Sequence, residues 1–224
     1  MPTTIAFDVY GTLIDTQSVI GALRNMVGIK AEDFSRSWRE KQLEYTFRRG
    51  LMQNYENFAV CTRQALEYTC SYCHVALNAK QKTELLDIYR MLPAFKEVKE
   101  VLARLTAVNF RLYAFSNGTA EAVDMLLTSA GIRDFFLKII SIDDIKSFKP
   151  NPSGYKYFLK RSGATLSNAW LISSNPFDVI GGISAGMKAV WLKRNPEAIF
   201  DPWGIEPTIT ITSLADLEGQ LTKH

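Results

Sequence analysis

Two carboxylates, one lysine and a set of hydroxyls and amides stand just beyond the apolar runs of this 224-residue chain. Asp8 closes the run TIAFD and shares its loop with Tyr10 and Thr12. Ser116 ends FRLYAFS and Asn117 and Gly118 follow it, Lys149 lies in the loop after LKIIS, and Ser173 and Ser174 end AWLISS with Asn175 and Asp178 beyond it. A strand-terminal Asp can form an Asx turn or act as a covalent nucleophile; the Gly-Thr that follows Asp8 favours the second. Lys149 alone, with Pro150 and Pro152 marking a loop, reads as a surface lysine. Opposite Asp8 it would keep that carboxylate ionised and oriented, because a nearby cation favours the charged form. Asp178 suits a helix N-terminus, where the dipole favours an acid, and equally suits a general base acting on water.

The remaining chemistry-bearing residues read more plainly. Arg39, in SWREKQLEY, falls mid-helix and on its own suits a solvated face, while Leu43 one turn on and Phe58 suit a core. GGISAG at 181–186 carries its glycines after a helix start, which points to close helix–sheet packing and away from a dinucleotide loop. His74 and His224 are the only histidines, and this argues against a Ser-His-Asp triad. CSYCH at 70–74 satisfies the c-type haem attachment pattern, but it continues a helical period running from Tyr55, and packed thiols are the expectation.

These groups need a scaffold that brings them to one place. Apolar runs predict buried strands at 4–8, 110–116, 137–141, 169–174 and 188–192, with TITI at 208–211 as a sixth candidate. Helix-period segments at 94–107, 119–130, 152–162 and 177–186 alternate with them. That alternation predicts an α/β fold with a parallel sheet and helices on both faces. Ligands of such sheets bind beyond the carboxyl ends of the strands, where all the residues above are collected. The stretch from 16 to 92 breaks the alternation, with helical patterns at 17–27, 31–48, 54–73 and 79–91 and no convincing strand. It predicts a helical cap at 16–92 inserted after the first strand, on a catalytic core formed by 1–15 and 93–224.

Composition sets the outer limits. Hydrophobic residues at 47% and charged residues at 22% are ordinary for a globular protein. The net charge of +3 comes from 26 basic and 23 acidic residues that are scattered along the chain, so nucleic acid is not an expected partner. No apolar run approaches the roughly 18 residues that span a bilayer, and MPTTIAFD lacks the basic region of a signal peptide. Three cysteines, an odd number, suit a reducing cytoplasm better than a disulfide framework.

Taken together the motifs resemble the haloacid dehalogenase superfamily, and most closely its L-2-haloacid dehalogenase branch. FDVYGTL is similar to the opening motif of that branch, WREKQLEYTFRR to its cap-helix motif, SNG to its second, FKPNPSGY to its third and SSNPFD to its fourth. Order and spacing agree over nearly the whole chain. The resemblance implies a Rossmann-like core with a helical cap, a cytoplasmic homodimer, and no cofactor or metal. It identifies Asp8 with the nucleophile, and Thr12, Ser173, Asn175 and Asp178 with the residues that support it and its hydrolytic water. Lys149 and Tyr155 resemble the charged and phenolic partners of that carboxylate, and Ser116 the binder of the substrate carboxylate. Arg39 and Asn117, with Phe177 beside them, resemble the group that receives the departing halide ion; Tyr10, Leu43 and Phe58 match the apolar wall around the substrate's alkyl part.

Two positions depart from the pattern: Glu40 stands where a Gln is familiar, and Phe177 where some members have Trp. Both are expected near the substrate pocket. The expected reaction is hydrolysis of an L-2-haloalkanoate to a D-2-hydroxy acid through an ester of Asp8. Phosphatase relatives carry acids where this chain has Tyr10 and Ser174; the first is a general acid for an alkoxide and the second binds magnesium. A halide leaves without a proton, and a ring at position 10 helps to make a dry pocket for a carboxylate attacking carbon. A phosphatase of the same superfamily acting on a small metabolite, and a non-catalytic binding protein on this scaffold, are the alternatives. The intact set of Asp8, Lys149 and Asp178 argues against the last.

Overall fold

A computed structural model describes residues 2–223; Met1 and His224 lie outside the described residues. Six strands form one sheet: β1 (Thr4–Asp8), β2 (Arg111–Ser116), β3 (Lys138–Ser141), β4 (Ala169–Ser173), β5 (Lys188–Leu192) and β6 (Ile209–Ile211). Their order is β3-β2-β1-β4-β5-β6, and every neighbouring pair is parallel. The sixth candidate strand is real, and it closes one edge.

β1 is fully buried because both of its faces are covered. Ile5 and Phe7 point into one apolar layer and Ala6 into the other, the two-sided burial that makes strands of parallel sheets read as continuous apolar runs. Helices α5 (Val98–Ala107) and α6 (Ala120–Ser129) feed the layer of Ile5 and Phe7. Helices α7 (Pro152–Ser162) and α8 (Pro176–Ser184) feed the layer of Ala6. Pairing aligns Asp8 with Phe115 on one side and Phe7 with Ile172 on the other. Ser116 and Ser173, each one residue further on, therefore flank the carboxyl end of β1.

Between β1 and α5 the chain makes helices α1 (Ile20–Val27), α2 (Ala31–Leu51), α3 (Phe58–Tyr72) and α4 (Ala79–Tyr89). The two ends of this excursion lie side by side. Asp15 N–H donates to Pro93 O at 2.9 Å, Phe95 N–H donates to Leu13 O at 3.0 Å, and Ile14 and Ala94 form an antiparallel bridge. That pairing explains why α5 begins at Val98 although its apolar period starts near residue 94. Likewise α3 begins at Phe58, since the Asn57 side chain accepts from Val60 N–H and fixes the cap there. Tyr55 is left outside the helix and reaches across: its hydroxyl donates to Asp143, and its ring stacks on Phe148 at 5.0 Å. No described helix is long and apolar enough to cross a membrane.

Candidate active site

Asp8 is 6% exposed, and its two carboxylate oxygens have different surroundings. Oδ2 accepts from Thr12 Oγ1 at 2.7 Å, Asn175 Nδ2 at 2.8 Å and Ser173 Oγ at 3.3 Å. Oδ1 accepts from Lys149 Nζ at 2.7 Å. Three donors hold one oxygen in place, and a single cation faces the other. The Thr12 hydroxyl has little choice of direction, because its oxygen accepts the Ser174 backbone N–H at 2.9 Å and its proton is left for Asp8. Gly11, at φ +83°, makes the tight turn that returns Thr12 towards Asp8.

Lys149 is not on the surface; the side chain is 2% exposed. Its ammonium donates to Asp8 Oδ1, to Asp178 Oδ2 at 2.8 Å and to Phe115 O at 3.2 Å, which uses all three of its protons. Burial alone would pull the Lys149 pKa down, but the Asp178 and Asp8 carboxylates outweigh it and hold the ammonium above its ordinary value. Asp178 is fully buried, and burial pushes its carboxyl above the usual carboxylate range against the opposing pull of Lys149. Tyr155 donates to Asp178 Oδ1 at 2.8 Å, and burial followed by the Asp178 charge raises its phenol well above normal. Gly181 leaves room for that phenol: a Cβ there would lie 2.3 Å from Tyr155 Oη. The GGISAG glycines thus serve close packing, with Gly182 against Leu171 in the same way.

Over this cluster lies α2. Arg39 is half-buried, not on a solvated face; its Nη1 donates to Gln42 Oε1 at 2.6 Å and its Nη2 points to Tyr10 O at 3.4 Å. Gln42 is buried, donates to Thr62 Oγ1 and also accepts from Tyr89 at 3.1 Å. Gln42 was not among the expected site residues. The available sign was its place one turn after Trp38 on the helix face that also carries Ala31 and Phe34. Glu40, expected near the pocket, is exposed, because one residue along a helix turns the side chain about 100° away from its neighbour.

The Tyr10 ring stacks on Tyr89 at 5.9 Å and tilts on Phe58 at 5.2 Å. Burial is the main cause that raises its phenol far above the ordinary value, so it stays neutral. Tyr10, Phe58 and Tyr89 line a cavity of about 520 Å³ that continues past Leu86, Thr119 and Met125. Asn117 is buried and its Oδ1 accepts the Lys149 N–H at 2.8 Å, which leaves the amide protons free for another partner. Ser116 Oγ accepts from Gly118 N–H at 3.1 Å, so its proton is also uncommitted. Leu43 is half-buried, and Phe177 packs edge-on against Phe47 of α2 at 5.0 Å. Cys70 is buried and Cys73 half-buried, both with thiols raised by burial.

A divalent cation does not fit this donor set. Hard cations want several oxygen ligands, yet position 10 is a tyrosine and Ser174 Oγ is spent on Gly11 O at 2.7 Å. The Asn175 amide nitrogen sits 2.8 Å from Asp8 Oδ2 and 3.2 Å from Tyr10 O, so an N–H donor bridges the oxygens a cation would need.

The chain as a whole has counterparts among known proteins. Residues 2–186 match the family model of haloacid dehalogenase-like hydrolases. The chain is 35% identical to the (S)-2-haloacid dehalogenase of Pseudomonas sp. (strain YL), over 94% of this chain and 90% of that one. It is also 35% identical to haloacetate dehalogenase H-2 of Moraxella sp. (strain B), over 92% of each. The L-2-haloacid dehalogenase of Xanthobacter autotrophicus, solved with chloropropionic acid covalently bound, superposes with a TM-score of 0.90 at 28% identity over 99% of both chains. The family match over most of the chain and relatives 35% identical over more than nine-tenths of it agree: the chain belongs to the haloacid dehalogenase-like hydrolase family.

Proposed function

We propose that this protein is an (S)-2-haloacid dehalogenase that hydrolyses L-2-haloalkanoates to D-2-hydroxy acids and halide ions. The asymmetric holding of Asp8 carries the reading. Oδ2, bound by Thr12, Asn175 and Ser173, is the less available nucleophile, so Oδ1 attacks C2 of the substrate. The carbon–halogen bond breaks opposite the incoming oxygen, its electron pair leaves with the halide, and C2 inverts. Ser116, with its uncommitted hydroxyl, receives the substrate carboxylate. Arg39 and Asn117 receive the halide, and Tyr10, Phe58 and Leu43 surround the alkyl part.

The second step follows from the same asymmetry. Once Oδ1 is esterified, Oδ2 is the carbonyl oxygen of the ester. Its three donors at 2.7, 2.8 and 3.3 Å then face the atom on which charge develops when water attacks Asp8 Cγ. Asp178 takes one proton of that water; as the tetrahedral centre collapses the leaving alkoxide takes a proton from Asp178 and departs as the hydroxy acid, and the water's second proton passes to solvent as Asp8 is restored as a carboxylate. Tyr155 and Lys149 hold Asp178 in place, and Phe177 closes the site from α8. Residues 16–92 act as a cap over the core, and neither step uses a cofactor.

Two further features accompany the reading. Leu51, Met52 and Tyr72, on and beside α2 and α3, are large apolar side chains exposed at 88%, 63% and 65%, which the second subunit of a homodimer would cover. The three unpaired thiols suit a cytoplasmic setting. The test is halide release from the two enantiomers of 2-chloropropionate. The L form is expected to give chloride and D-lactate while the D form gives none; turnover of neither, alongside phosphate release from small phosphate esters, would return the phosphatase reading.

A further inference from the structure

Arg194 has no part in either step above, yet it sits against the loop that carries the nucleophile. It follows β5 by two residues and reaches across the carboxyl end of β4. Its Nε and Nη2 both donate to Thr12 O, at 2.9 and 2.6 Å, and its Nη1 pairs with Glu97 at 2.8 Å. The guanidinium lies 3.6 Å from the centroid of the Phe95 ring. Its side chain is 16% exposed, so water screens these contacts little. Phe95 in turn donates its N–H to Leu13 O. One side chain thus ties the nucleophile loop, the segment where the chain returns from its four-helix excursion, and the start of α5.

We propose that Arg194 is a positioning residue for Asp8, acting through Thr12. The Thr12 hydroxyl, at 2.7 Å, makes the shortest of the three hydrogen bonds that hold Asp8 Oδ2, and among the described residues both donors to the Thr12 carbonyl belong to Arg194. Two N–H bonds converging on one carbonyl oxygen, with the guanidinium plane fixed by Glu97 and Phe95, define the height and tilt of the Thr12 peptide. Shifting that peptide turns the Thr12 hydroxyl, and the carboxylate with it. Alignment of nucleophile and carbon is the quantity at stake, and a displacement of about 1 Å from a remote change can cost on the order of 100-fold in rate. A lysine offers a single ammonium in place of a fork and cannot span Thr12 and Glu97 with the same geometry.

This inference rests on the dehalogenase reading, and one set of measurements separates the two. Wild-type protein, Arg194→Lys, Arg194→Met and a stability control, Arg133→Met, which removes the surface pair with Asp124, are assayed on L-2-chloropropionate. Thermal midpoint, kcat, KM and single-turnover chloride release are measured for each. In Arg194→Met, kcat and the chloride burst rate are expected to fall roughly 10- to 100-fold while KM stays within about twofold, because Arg194 does not touch substrate. Arg194→Lys is expected to lie between, and Arg133→Met to keep wild-type kcat whatever its midpoint. No chloride from the wild type overturns the dehalogenase reading. Wild-type turnover with kcat retained in Arg194→Met, or lost equally in Arg133→Met, overturns the role of Arg194 alone. If Arg194→Met does not fold, Arg194→Lys decides: wild-type kcat there overturns the proposal.

Discussion

The side-chain amide of Asn175 lies 2.8 Å from Asp8 Oδ2 and holds that oxygen with a hydrogen bond where a cation would use a charge. The same nitrogen reaches Tyr10 O at 3.2 Å. Turnover of L-2-chloropropionate is therefore expected to survive exhaustive dialysis against EDTA and to show no stimulation by magnesium. Asn175→Asp is expected to be inactive with or without magnesium, since it replaces the donor by a second carboxylate beside the nucleophile. Loss of wild-type activity on chelation, reversed by magnesium, would contradict this assignment of Asn175.

Arg39 offers a second test. Its guanidinium is only half-buried, and its recorded partners are Gln42 and the Tyr10 carbonyl. Removing it costs the fold little, while on the proposed mechanism the halide leaving C2 of the substrate would lose its charged hydrogen-bond donor. Arg39→Ala is expected to lower kcat by roughly 10²–10³-fold, the scale of a lost transition-state donor, with a thermal midpoint near that of the wild type. Pre-steady-state chloride release is the measurement, and a burst at the wild-type rate would return Arg39 to a structural role.

Most of the sheet was legible because its strands are buried on both faces and read as unbroken apolar runs, as in AWLIS and KAVWL. Sheet order was not legible, since no residue in β1 announces β2 and β4 as neighbours; the pairing comes from crossovers that only the folded chain shows. The site residues beyond strand ends were legible as a set for the same topological reason. What escaped was side-chain reach. Lys149 looks exposed in FKPNP, and only the loop's return over the sheet buries it between Asp8 and Asp178. Gln42 and Arg194 escaped because their roles depend on partners at Thr62, Thr12 and Glu97, distant in sequence. Glu40 shows the converse: adjacent to Arg39 in sequence, it faces solvent on α2.

The Lys149 pair gives a prediction with a definite sign. Its pKa is raised in the folded state: burial opposes the charge, but Asp178 and Asp8 outweigh it. Its contribution to stability is therefore fully present below the ordinary lysine value of about 10.4. It is lost as pH rises through the raised folded value. Lys149→Met leaves two buried carboxylates without their cation, a change expected to cost about 3–5 kcal/mol at neutral pH. Urea unfolding of wild type and variant at a series of pH values gives the difference directly. It is expected to be flat from about pH 8 to pH 10 and to shrink above that. A difference that shrinks below pH 9 would mean that the two carboxylates do not raise Lys149.

The covalent step is tested by following oxygen. If Asp8 Oδ1 attacks carbon, the oxygen delivered to the product comes first from the carboxylate, and water then restores it by attacking Cγ. With protein in excess over L-2-chloropropionate in heavy-oxygen water, the first turnover is expected to leave the label in the peptide that contains Asp8. The lactate released is expected to be unlabelled and of D configuration. Asp178→Asn, which lacks the base for the second step, is expected to accumulate the ester, seen as a propionate adduct on the same peptide. Asp8→Asn is expected to form no adduct when freshly prepared, because a neutral amide is a far poorer nucleophile than a carboxylate. Labelled lactate with an unlabelled peptide would mean that water attacks carbon directly. The three donors around Oδ2 would then be holding a general base in place, and the adduct in Asp178→Asn would be absent as well.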